Sequence, residues 1–189
     1  ASGGTPRDRR RIRSRSDIAD RVAALQAFQA GVASTDPDLE PHHAGARNVL
    51  RAAEQLYRLV ETPLAPRAEE PDTALMRALL EAFPDRLARL RPGSADRATL
   101  VGGRGVRLTS SRLRSEPLFL AVDVDDAGGE AAVRLASAVD RAWLMDSSYA
   151  THLRTDQALV YHPSRRQVEA RVQTAWMDLV LEEAPAAID

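Results

Sequence analysis

Guanidinium groups are the side chains of this sequence best suited to chemistry. All 26 basic residues are arginine. GC-rich coding alone produces that bias, so the functional question rests on where the arginines stand. Arg7, Arg9, Arg10, Arg11, Arg13 and Arg15 crowd the first stretch of chain against one acid, Asp8. Arg104 and Arg107 belong to the glycine cluster that begins at Gly102-Gly103, and Arg165, Arg166 and Arg171 follow the turn at His162-Pro163-Ser164. A guanidinium grips phosphate oxygens bidentately and stacks on unpaired bases, so these positions are candidates for holding a nucleic-acid strand. The competing reading is a solvated surface of scattered charge. The net charge of −1 supports it for the chain as a whole, because a strongly basic nucleic-acid binder carries a large positive excess.

Other chemistries fail on residue type or spacing. There is no cysteine, which removes disulfides, zinc fingers, iron–sulfur sites and thiol catalysis and fits a reducing cytoplasm. The cluster Gly102-Gly103-Arg104-Gly105 invites a phosphate-loop reading, but Val106-Arg107-Leu108 follows where that loop needs a lysine and a hydroxyl. A tight turn between strands, where glycine supplies positive φ, accounts for it better. Asp123, Asp125, Asp126 and Glu130 suggest calcium, yet the bidentate glutamate that closes such a loop would fall on Arg134. A solvated hairpin turn is the simpler account. His42, His43, His152 and His162 lack a carboxylate at ligand spacing. No nucleophile elbow or acid–base pair appears, so no catalytic residue and no metal or cofactor is expected in this chain. No apolar run is long enough to span a bilayer.

The elements that must position the arginines change character along the chain. Residues 1–15 have almost no apolar anchor and read as a flexible basic arm. Ser16 caps a helix with Ile18, Val22, Leu25 and Phe28 on its stripe, ending near Gly31. A second helix, about Ala46 to Val60, carries Val49, Ala53, Leu56, Tyr57 and Val60. A third follows its expected cap, Asp72, with Leu75, Leu79, Leu80 and Phe83. A turn or short helix spans Pro84 to Leu90. Past Pro92-Gly93 the period becomes that of strands, around the glycine turn and then over Leu118–Val124, Ala131–Leu135, Leu159–Tyr161 and Val168–Trp176. Val139–Asp146 reads as a short helix among them. The predicted fold class is therefore α+β: a helical part over 16–92 and a small Greek-key or OB-like β-barrel part over 97–189.

Collinear blocks in the sequence resemble the region that follows the motor in bacterial HrpB-type DEAH-box RNA helicases. They are SDIADRVAALQAF (Ser16–Phe28), ARNVLRAAEQLYRLV (Ala46–Val60), LLEAFPDRLARLRPG (Leu79–Gly93) and ATLVGGRGVRL (Ala98–Leu108). EPLFLAVDVDD (Glu116–Asp126), VRLASAVDRAWL (Val133–Leu144) and DLVLEEAP (Asp178–Pro185) continue the order. The family more often has asparagine where Gly102 stands. The resemblance implies a ratchet-like helical part and an OB-like barrel that guide single-stranded RNA, with DNA not distinguished. It implies RecA-like motor lobes as partners in cis, ATP and magnesium bound by those lobes and not by this chain, a cytoplasmic setting and no membrane. In that frame Arg104, Arg107, Arg165, Arg166 and Arg171 meet phosphates. The alternative is a stand-alone adaptor whose barrel binds a protein, a reading that gains ground if Phe119, Trp143 and Trp176 form a surface patch and not a core.

Overall fold

The computed structural model describes residues 14–34, 36–60, 69–113, 116–125 and 130–186. Most of the arginine arm lies outside these residues, as do Pro63, Pro66 and the tip of the acidic turn after Asp125.

Helix α1 (Asp17–Gln29) starts where the sequence expects it, with the Ser16 hydroxyl accepting the Ala19 N–H at 3.3 Å. Helix α2 spans His43–Arg58 and α3 spans Pro71–Ala82. The α3 cap position is Glu70, and Asp72 sits inside the first turn, where its charge complements the helix dipole. Pro71 explains the shift from the expected cap. Its missing N–H and fixed φ suit the first helical position, so the helix begins there.

Strands β1 (Leu87–Leu90), β2 (Arg97–Leu100), β3 (Gly105–Leu108), β4 (Leu118–Asp125) and β5 (Ala131–Ala138) close into a barrel in the order β1-β2-β3-β5-β4. All pairings are antiparallel except β3 with β5. The closed five-stranded barrel is consistent with an OB-like fold. The stretch Pro84 to Leu90 departs in part from the expected turn or short helix. A single 3-10 turn at Pro84–Arg86 leads into β1, which pairs with β2 on one side and β4 on the other. A four-residue run carries too little periodicity to decide its type. Two ready strand partners decide it, and the barrel consequently opens ahead of residues 92–97.

The strands after the short helix α4 (Arg141–Leu144) do not join the barrel. Strands β6 (Leu153–His162), β7 (Gln167–Trp176) and β8 (Leu179–Pro185) make a separate three-stranded antiparallel sheet. The β6–β7 hairpin pairs continuously from Leu153↔Trp176 to His162↔Gln167. Only the base of this sheet enters the common core, through Trp176, Leu179 and Leu181. The Trp176 indole N–H donates to the Pro84 carbonyl at 2.8 Å, and the Arg89 guanidinium donates to the Val180 and Leu181 carbonyls. Phe119, Trp143 and Trp176 are all buried, so they form core and not a docking patch.

The helical part and the barrel meet at a buried carboxylate. Asp17 is 5% exposed, and its two oxygens accept the backbone N–H groups of Arg112 and Ala136, each at 2.8 Å. Beside it Ser16 bridges to Ser137 in β5, and the Ala138 N–H reaches the Arg15 carbonyl at 2.7 Å. Replacing Asp17 by alanine strands two main-chain donors, one of them in the barrel wall. The expected loss is about 2–4 kcal/mol of folding stability, read as a lower urea midpoint. A midpoint unchanged in Asp17→Ala would remove this carboxylate from its structural role.

Candidate nucleic-acid interface

Alternation along β1, β2 and β3 sorts the arginines of these three strands onto one outer face. Ala98 and Val106 face each other in the core, so their neighbours Arg97 and Arg107, also a register pair, point outward together. Arg89 pairs with Thr99 on the same outer side. Arg91 stands beside them with its guanidinium over Gly105, where a Cβ would lie 2.6 Å from it. Gly102 and Gly103 take positive φ in the turn between β2 and β3, and Arg104 follows them, its carbonyl accepting the Leu100 N–H at 2.8 Å.

Acids hold this face together. The Arg107 Nε donates to Asp96 at 2.7 Å, and Arg97 lies 3.8 Å from Glu130. The Asp178 carboxylate accepts the Gly102 N–H at 2.9 and 3.0 Å, tying the glycine turn to the turn between β7 and β8. A shallow cavity of about 260 Å³ opens beside it, lined by Arg89, Arg91, Thr99, Gly103, Asp178 and Val180 among others. The hydrogen bond from Arg107 holds the Asp96 carboxyl below the ordinary aspartate range, and the Arg107 charge and Ser94 add to the effect.

The candidate arginines singled out in the sequence do not share one place. Arg104 and Arg107 lie on or beside the barrel face. Arg165 and Arg166 lie at the opposite end of the β6–β7 hairpin, separated from the Asp178 turn by the full ten-residue strand β7, or about 30 Å at the usual rise. Arg165 pairs with Glu169 at 3.2 Å, and Arg166 adopts φ 50° in the tight turn. Arg171 sits midway, within 3.3 Å of Glu169 and 3.2 Å of Glu183. Sequence reasoning does not single out Arg89, Arg91 or Arg97. Their signal is their place in or next to short strands, and reading it requires knowing that 87–90 is a strand.

Other polar features stand outside this face. A cavity of about 620 Å³ between α1 and the barrel is lined by Asp17, Asp20, Arg21, Asp38, Arg112 and Arg134 with others. Arg112 in its lining pairs with Asp36, and burial pushes the Asp20 carboxyl upward. His42 caps α2, His43 packs edge-on against Phe28 and His152 lies against Trp176. Among the described residues no group of three or more potential ligands is placed to hold a metal ion. No described helix is long and apolar enough to cross a membrane.

The fold so defined, a helical segment leading into a closed five-stranded barrel and a trailing sheet, has solved counterparts. The chain is similar to the crystal structure of the E. coli DExH-box NTPase HrpB, with a TM-score of 0.52 and 16% identity over 90% of this chain. It is also similar to the structure described as Escherichia coli DEAH/RHA helicase HrpB, with a TM-score of 0.50 and 14% identity over 92% of this chain. The chain spans 21% and 22% of the length of those two proteins. At such identities the likeness is one of fold. No protein-family description matches the sequence, and no curated protein matches it.

The Asp96–Arg107 pair gives a direct check on the geometry of the face. A carboxyl depressed by its partner keeps the pair intact above its ordinary value of 3.8 and loses it as the pH falls through the lower, folded value. In Arg107→Ala the Asp96 titration, followed by carboxyl carbon NMR, is expected to move up toward 3.8. No movement would mean that the two side chains do not meet in solution.

Proposed function

We propose that this chain is the accessory C-terminal region of an ATP-dependent helicase of the HrpB type, and that its barrel guides a single nucleic-acid strand. The likeness of fold to HrpB over nine-tenths of the chain carries this reading. In OB-like barrels the outer face of the second and third strands and the adjoining loops are where oligonucleotides bind, and here that face presents Arg97, Arg107 and the Arg104 turn. The ratchet-like role falls to α1–α3, and the motor lobes in cis supply ATP and magnesium. The setting is cytoplasmic.

The mode of contact follows from what the face carries. No aromatic residue stands on β1, β2 or β3, so bases have no platform to stack on. Guanidinium groups contact the phosphate backbone instead, which tolerates any sequence, as translocation requires. RNA is the substrate read here, and a phosphate grip of this kind accepts DNA as well. Asp96 and Glu130 must give up part of their hold on Arg107 and Arg97 when phosphate arrives. Contact is therefore an exchange of anions, weak at each position.

A second reading, an adaptor that binds protein, keeps one observation in its favour. Along α2 and its C-terminal end the apolar residues Val49, Leu56, Tyr57 and Val60 face solvent although they make one stripe. In the helicase reading that stripe is a seat for the motor lobes.

The test is single-stranded RNA binding by fluorescence anisotropy over a salt series. Arg104→Ala with Arg107→Ala is expected to weaken binding uniformly across sequences. The log–log salt slope should flatten by about 0.7 for each phosphate that no longer has a guanidinium partner. Adding Arg97→Ala weakens binding further, whereas Arg165→Ala with Arg166→Ala leaves the grip of the barrel intact. Unchanged affinity and slope in the barrel variants would overturn the assignment of this face.

A further inference from the structure

We propose that the cavity between the glycine turn and the β7–β8 turn is a sugar–phosphate subsite, in which Arg91 takes a phosphate and Asp178 accepts the ribose 2′-hydroxyl. The assignment rests on the barrel face being the nucleic-acid interface, and it makes Asp178 the residue that separates RNA from DNA there.

One cation and one acid on this face stand without an ionic partner, and they line the same cavity. Asp96 holds Arg107, Glu130 lies beside Arg97, and the Val180 and Leu181 carbonyls occupy the Arg89 guanidinium. Among the described residues no ion pair engages Arg91 or Asp178. Both line the cavity of about 260 Å³, and they do not pair with each other across it. An open guanidinium and an open carboxylate held apart suit a ligand with an anion at one end and a hydrogen-bond donor at the other.

Both groups have defined places. The Arg91 guanidinium lies over Gly105, the register partner of Thr99. That is two residues along the outward row from the Arg97–Arg107 pair, or about 7 Å at the usual rise. Glu130 lies 3.6 Å from the same Cβ position, and it yields to phosphate here as it does at Arg97. Asp178 accepts the Gly102 N–H with both oxygens, at 2.9 and 3.0 Å. An ionised carboxylate has about four acceptor sites, so capacity remains. Its turn is braced from behind, because the Met177 N–H donates to the His152 carbonyl at 2.6 Å. Met177 stands at φ 53°, a strained conformation for a side-chain-bearing residue. The strain falls at the residue that delivers the carboxylate.

Chemistry selects the sugar. A carboxylate beside a phosphate strand is repelled unless it meets a donor. The DNA backbone carries none, whereas every RNA nucleotide has a 2′-hydroxyl near its phosphate. Bases carry donors too, but the cavity lining holds no aromatic ring on which a base could stack. Its apolar wall, Leu90 and Leu100 among others, suits the carbon side of a ribose ring. The arginines grip any strand, and Asp178 adds a preference for ribose.

The experiment is fluorescence anisotropy with the 189-residue chain and labelled oligouridine strands of one length. The strands carry ribose, 2′-deoxyribose or 2′-O-methylribose throughout, and an oligoadenosine set repeats the comparison with a different base. The wild type is expected to bind ribose strands of both bases about tenfold more tightly than either analogue, the worth of one hydrogen bond to a charged group. Asp178→Ala is expected to erase that preference. Asp178→Asn, which still accepts the Gly102 N–H, should cut it at least about threefold with the turn intact. Arg91→Ala should weaken all three strands alike and flatten the log–log salt slope by about 0.7. Equal binding of the three strands by the wild type would overturn the proposal. So would a preference that follows the base instead of the sugar. Asp178→Ala weakening every strand equally, with the ratio kept, would confine Asp178 to holding the glycine turn and sink the sugar assignment. Failure of the interface itself reads differently: Arg104→Ala with Arg107→Ala would then leave the affinity for every strand unchanged.

Discussion

The architecture hangs on one buried charge. Asp17 stands at the first turn of α1, yet its oxygens serve the barrel: one takes the N–H of Arg112 in the β3–β4 connection, the other the N–H of Ala136 in β5. A carboxylate that accepts main-chain donors is among the stronger hydrogen-bonded arrangements available to a protein, and a donor left unpaired there would carry a large desolvation cost. The helical part is therefore fastened to the barrel by a charge and two main-chain donors, with Ser16, Arg15 and the Arg15–Asp140 ion pair at 2.6 Å reinforcing the seam.

A balance of opposite charges likewise shapes the candidate interface. With arginine and acid nearly equal over the chain, the outward arginines of β2 and β3 meet carboxylates before they meet anything else. Arg107 is held by Asp96 and Arg97 lies close to Glu130. These exposed pairs add little to stability. They keep two like charges in register on neighbouring strands, and they leave a face that exchanges partners readily.

Among the described residues, the stripe of α2 and the outer half of the β6–β7 ribbon carry exposed apolar side chains outside the core. They differ in kind. A helix satisfies its own backbone, so its stripe offers side chains alone. The edge of the ribbon adds a line of main-chain groups that, among the described residues, pair with β7 on one side only. The distinction separates a broad packing surface from a directional one.

Much of this was legible in the sequence. The Ser16 cap, the three long helices, the glycine turn between β2 and β3 and the strand run Leu118–Val124 follow from capping, periodicity and the needs of positive φ, all of them local effects. The blocks resembling HrpB-type helicases pointed to the fold that the solved structures share. What the chain could not announce was pairing. Whether 87–90 is a turn or a strand, whether 153–185 joins the barrel or stands apart, and which arginines share a face all depend on contacts between residues distant in sequence. For the same reason the amphipathic stripe of α2 promised burial that the tertiary structure does not provide. Periodicity states which face of an element is apolar; only the assembled fold decides whether anything lies against it.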